Sequence, residues 1–113
     1  MDIETYREFC LSLAGATEDF PFGEDILVFR VGGKIFSLCW LGKIPLAVNL
    51  KCDPQWAQEL REAYPQVRLG YHMNKKHWNT VEIQSLPPAL VRQMVEHSYG
   101  QVVAKLPKSR RPH

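Results

Sequence analysis

No run of apolar residues in this sequence approaches the roughly 18–20 needed to cross a bilayer. The opening residues, Met1-Asp2-Ile3-Glu4-Thr5, lack a basic stretch leading into an apolar one, so no secretory signal is expected there. The expected compartment is the cytoplasm. Cysteine is scarce. Cys10, Cys39 and Cys52 are odd in number and widely spaced, unlike the dense, even sets of secreted disulfide scaffolds. They read as reduced thiols, with Cys10 and Cys39 as small core residues.

Signatures of chemistry are also missing. There is no Cys-x-x-Cys pair and no paired-histidine zinc motif, and His72, His77, His97 and His113 are scattered. No metal site and no cofactor are expected. There is no P-loop and no Gly-x-Gly-x-x-Gly fingerprint. Cys39 lies mid-strand between Leu38 and Trp40, in a packing environment. Cys52, just before a helix start, is the better thiolate candidate, because helix N-termini favour thiolates, but it reads more simply as a turn cysteine. The acid pairs Glu18-Asp19 and Glu24-Asp25 share one connection, where they read as solvated carboxylates. A non-enzymatic protein is expected.

What is present fits one α+β domain. The chain has 113 residues, 45% of them hydrophobic and 23% charged, ordinary values for a globular domain. A helix is expected over 3–14, capped by Asp2, with Ile3, Tyr6, Phe9, Cys10 and Leu13 on one face. The stretch 16–25, with Pro21 and Gly23, reads as a connection. The period then changes to that of strands over 26–31, 34–41 and 44–50. Gly32-Gly33 forms a tight hairpin link between the first two, and Gly42-Lys43 turns the chain again. Pro45 points to an edge position or a strand entry. Asp53-Pro54 opens a second helix with Trp56, Leu60, Ala63 and Tyr64 as its buried stripe. Residues 67–71 read as extended, 72–77 as a loop, and 78–83 as a strand. The last helix is expected over 88–105, burying Val91, Met94, Val95, Ser98, Val102 and Leu106. Arg92 and Lys105 give that helix some basic character, but its stripe reads as core rather than membrane-facing. The order α-βββ-α-β-α implies a mainly antiparallel, curved sheet packed against helices. The domain spans 1–107, followed by a basic flexible tail at 108–113.

Charge is unevenly divided. Residues 1–62 hold 6 Lys and Arg against 10 Asp and Glu, a net −4; residues 63–113 hold 8 against 2, a net +6. That split hints at an anionic partner for the C-terminal half. Three features gather the basic residues. The first is Tyr71 to Trp78, where Lys75, Lys76 and His77 sit among aromatics; lysine can hold a phosphate, and an exposed aromatic can stack on a base. Large aromatics dominate small cores, however, so burial is the expectation for Trp78. The second is the group Lys105, Lys108, Arg110 and Arg111, able to hold phosphates without reading sequence. The third is Arg30 and Lys34, flanking the Gly32-Gly33 turn.

Four segments in order resemble the MmcQ/YjbR family of small bacterial proteins: Ala16-Thr17-Glu18-Asp19-Phe20-Pro21-Phe22-Gly23, Val28 to Phe36, Lys76 to Val81, and His97-Ser98-Tyr99 with Val103-Ala104-Lys105-Leu106-Pro107. The resemblance implies a CyaY-like or secretion-chaperone-like α+β fold. It also implies DNA binding through two hairpin wings, whose basic residues here would be Arg30 and Lys34, and Lys75, Lys76 and His77. Thr17, Pro21, Phe36, Ser98 and Tyr99 would be structural. The leading expectation is therefore a DNA-binding protein contacting backbone phosphates. The alternative is a protein-interaction adaptor using the sheet face. A metal binder, suggested by the CyaY-like shape and Glu18, Asp19, Glu24 and Asp25, ranks last.

Overall fold

A computed structural model describes residues 1–112. The first helix, α1 (Ile3–Ser12), starts where Asp2 accepts a hydrogen bond from the Thr5 N–H, and it buries Tyr6 and Cys10. A short strand follows, β1 (Thr17–Asp19), in the stretch expected to be only a connection. Its sequence carries no strand period; pairing with β2 (Ile26–Val31) is what holds it extended. Strands β2, β3 (Lys34–Trp40) and β4 (Ala47–Lys51) form the expected meander. Pro45 sits just ahead of β4, and β4 lies in the sheet's interior, so the proline marks strand entry.

Helix α2 (Pro54–Ala63) is capped by Asp53, which accepts from the Trp56 N–H. Its fully buried residues are Ala57 and Leu60. Trp56 and Tyr64 are half-buried, and Ala63 is exposed, correcting the expected stripe. Strands β5 (Val67–Leu69) and β6 (Trp78–Glu82) then pair with each other. Helix α3 (Pro88–Ala104) buries Val91, Met94, Val95, Ser98 and Val102, as its stripe requires, and Leu106 just beyond it is also buried. Among the described residues, no helix is long and apolar enough to cross a membrane.

The result is one antiparallel six-stranded sheet in the order β1-β2-β3-β4-β6-β5. The main core forms on one face, where Phe29, Cys39, Val48 and Val81 meet residues of the helices such as Tyr6, Leu60 and Val95. A register shift after Phe29 leaves Phe36 without a cross-strand partner on β2. This bulge turns Phe36 into the core beside Phe29 and Tyr99, whose ring meets it edge-on at 5.4 Å.

The segment expected to be a flexible tail returns to the domain. Lys108–Arg110 form a single 3-10 turn. Arg111 donates to the Leu106 and Ala104 carbonyls at the end of α3. Those carbonyls have no partner within the helix, so a guanidinium beside them both satisfies and neutralises the helix end. His113 lies outside the described residues.

Candidate functional site

Strand directions bring one set of residues to one end of the sheet. Strand β2 ends and β3 begins at the Gly32-Gly33 turn, where Val31 pairs with Lys34. At the same end β4 finishes and β6 starts, with Lys51 opposite Trp78. Gly32 has φ +56°, and a Cβ there would stand 2.6 Å from Leu106 Cδ1 and 3.0 Å from the Arg110 carbonyl. Only glycine lets the turn settle against the end of α3.

Ser98 opens the sheet at this end. The β3–β4 ladder runs through Ser37 opposite Leu50, so Phe36 and Lys51 would be the next pair. Instead the buried Ser98 hydroxyl stands between them. It donates to the Phe36 carbonyl at 2.5 Å and accepts from the Lys51 N–H at 2.8 Å. The residue is structural, as the family resemblance implied. The carbonyl it satisfies belongs to the sheet, so it splices helix to strands at the point where the ladder stops.

Beyond this splice lies a cleft of 470 Å³. The β2–β3 hairpin contributes Arg30, Lys34 and Ile35 to its walls, and the central strands contribute Lys51 and Trp78. Val102, Lys105 and Leu106 of the α3 end complete it. Four of these residues are cationic and none is acidic. Among the described residues, Lys34, Lys51 and Lys105 form no ion pair. Burial, followed by the nearby Lys105 ammonium, holds Lys51 below its ordinary value of 10.5. The cleft thus holds a partly buried Lys51 beside an exposed Lys105, with no acid among its lining residues and an apolar wall alongside. Such a place is chemically suited to an anion.

Of the residues marked in the sequence, Arg30, Lys34 and Lys105 meet at this cleft. Arg30 is partly committed, donating to Asp19 at 3.1 Å and to the Gly33 carbonyl at 3.1 Å. Lys108 and Arg110 are exposed on the 3-10 turn that follows Lys105, while Arg111 caps the helix. Trp78 is half-buried in the cleft wall, where burial in the core had been expected. Lys51 carried no signal in the sequence, because a lone lysine at a strand end is ordinary.

The 72–77 loop does not form a free wing. It links β5 to β6, but Tyr71 donates through its N–H to Thr80 Oγ1 and accepts at its carbonyl from Asn49, laying the chain back over the helix-free face. Tyr71 and His72 then rest against Trp40, with centroids 5.3 and 6.0 Å away. Lys75 and Lys76 are exposed on the return, Lys75 bonding the Gly70 carbonyl at 3.1 Å. His77 is half-buried, its carbonyl accepting from the Cys52 N–H at 2.7 Å. This fold-back helps bury Leu38, Asn49 and Thr80 on the helix-free face. An apolar cleft of 340 Å³ remains beside Phe22, Trp40 and Met73.

The thiols are poorly placed for nucleophilic work. Cys52 is 4% exposed, and burial, then the Asp53 charge, pushes it up to about 12, which overturns its reading as a thiolate candidate. Burial likewise pushes Cys39 up to about 12 and Cys10 higher still.

Fold and cleft define a small α+β protein built on one curved sheet, with a basic opening where the sheet meets the end of its last helix. The chain belongs to the YjbR family, whose model matches residues 11–101. It is 40% identical over 107 residues to the uncharacterized protein YbdF of Escherichia coli O157:H7, covering 93% of this chain and 87% of that one. It is 31% identical over 112 residues to the uncharacterized protein YjbR of Escherichia coli K12, covering 98% and 95%. Among solved structures, protein DR2400 of Deinococcus radiodurans matches with a TM-score of 0.88 and 36% identity, over 96% of this chain and 83% of that one. A protein from Pseudomonas syringae shares the fold, with a TM-score of 0.78 over 89% of this chain and 98% of that one, at 24% identity.

Proposed function

We propose that this protein binds DNA, holding backbone phosphates at the basic end of its sheet. The observation that carries the reading is the convergence of Arg30, Lys34, Lys51 and Lys105 on one cleft with no acid in its lining. Lys108 and Arg110 extend the same charge along the 3-10 turn, and Lys75, Lys76 and His77 precede Trp78 on the neighbouring loop. Phosphate contacts position a protein on nucleic acid without reading its sequence. Binding is expected to be sequence-tolerant and to weaken with salt. The protein-adaptor alternative relies on the helix-free face, which the loop after β5 partly covers, leaving the apolar cleft beside Phe22, Trp40 and Met73.

Charge reversal tests the reading. Lys34→Glu and Lys105→Glu should each weaken binding of a labelled duplex several-fold, equally across unrelated sequences. Arg92→Glu, exposed on α3 and outside the cleft lining, should leave it unchanged. Equal affinity for all three variants and the native protein would remove the cleft from the interface.

A further inference from the structure

We infer that the cleft receives a single unpaired nucleotide, its phosphate between Lys51 and Lys105 and its base against Trp78. The inference rests on the proposal that this end of the sheet binds nucleic acid, and it names the part of that ligand which enters.

Shape is the first argument. At 470 Å³ the cleft falls in the range, about 300–1,000 Å³, of pockets that enclose small molecules. The charges of Lys51 and Lys105 line this recess and are not spread over a flat face. A duplex offers only its outer backbone, so it can approach the rim at Lys34 but cannot fill the interior.

Composition is the second. The walls pair the two lysines with Trp78, Ile35, Val102 and Leu106. An inorganic anion would leave those apolar surfaces wet. A nucleotide joins phosphate to a flat aromatic base, and a tryptophan accepts any base by stacking. Within a duplex each base is already stacked and paired, so only an unpaired one is free to do this.

Electrostatics is the third. Lys51 is partly desolvated and faces Lys105, a repulsion that a phosphate would relieve. The negative end of α3 would oppose an anion here, but Arg111 covers its last carbonyls. Trp78 is held in place from behind. Gly70 donates its N–H to the Trp78 carbonyl at 3.0 Å, and a Cβ on Gly70 would come within 2.8 Å of Trp78 Cβ.

One nucleotide can come from two sources, the end or gap of a strand or a free mononucleotide. The test compares a labelled 12-nucleotide single strand, a blunt 12-base-pair duplex of the same sequence, and AMP as competitor, at low salt. The single strand is expected to bind roughly tenfold more tightly than the duplex, about the worth of one base–aromatic stack. Trp78→Leu should abolish that preference. Trp78→Phe, which keeps a ring at this strand position, should retain most of it and guards against a folding defect. Lys51→Gln should weaken the single strand more than the duplex. Displacement of the strand by millimolar AMP would identify a free nucleotide as sufficient; absence of displacement would identify the strand as the source. Equal affinity for strand and duplex, unchanged by Trp78→Leu, would overturn the inference while leaving phosphate binding intact. Failure of both nucleic acids to bind would overturn both readings.

Discussion

Residues 97 and 100, on either side of the Ser98 splice, show how single positions are tuned. His97 Nε2 accepts a hydrogen bond from the Asp53 N–H at 3.0 Å, which requires a neutral imidazole. Burial lowers its pKa from the ordinary 6.5, against the opposing pull of Asp53. A base with a depressed folded pKa binds fewer protons in the native state than in the unfolded one. Its contribution to stability is therefore fully present above pH 6.5 and is lost progressively as pH falls below that value. The melting temperature should fall between pH 7 and pH 5, and by less in His97→Gln, whose side-chain oxygen can accept the same bond without titrating. Identical pH profiles would show that His97 is not responsible. Gly100 offers a contrast. It lies inside α3, exposed, and a Cβ added there would meet nothing within 4 Å. Gly100→Ala should stabilise the protein by up to about 1 kcal/mol in urea unfolding. Gly32→Ala should do the reverse, costing more than about 1 kcal/mol, since it combines a positive φ with a clash against Leu106.

At the scale of elements, the decisive contact is the Ser98 hydroxyl of α3 reaching between Phe36 and Lys51 where the β3–β4 ladder ends. Removing the Ser98 hydroxyl orphans the Phe36 carbonyl and the Lys51 N–H together. Each buried, unsatisfied group costs about 1–3 kcal/mol. Ser98→Ala should therefore cost at least about 1–3 kcal/mol by denaturant titration, and a loss below about 0.5 kcal/mol would show that the strands re-pair directly. The elements themselves were largely legible in the sequence. Asp2 and Asp53 marked two helix starts, Gly32-Gly33 marked the hairpin, and the spacing from Val91 to Leu106 marked the face of α3. Strand β1 was not legible, because three residues held by pairing to β2 carry no period of their own. The Phe36 bulge left no signal either, since it is a matter of register between two strands. The loop after β5 read correctly as a loop, but its return over the sheet depends on Asn49 and Thr80, distant in sequence.

At the scale of the whole molecule, the uneven charge of the chain becomes a spatial pattern only through topology. The excess of cations after residue 62 was visible in the sequence. Lys51, which belongs to the acidic half, joins Lys105 because β4 ends where α3 ends. Two other acidic-half residues, Arg30 and Lys34, reach the same place through the hairpin. The sequence thus identified three of the four cations of the cleft and missed Lys51, which burial holds below its ordinary pKa. It also marked Trp78 without revealing that the tryptophan stands half-buried in the cleft wall. Arg30 illustrates the remaining gap: charge was legible, but its engagement by Asp19 was not, because β1 was not.

The most direct test of phosphate binding at this end of the sheet is the salt dependence of DNA affinity, measured by titrating a labelled duplex at several salt concentrations. The logarithm of affinity should fall linearly with the logarithm of salt, with a slope of about −0.9 for each phosphate contact. About four to six contacts are expected, and Lys34→Gln with Lys105→Gln should reduce the slope by roughly two contacts. Absence of binding at low salt, or a slope near zero that the paired substitution leaves unchanged, would contradict the account.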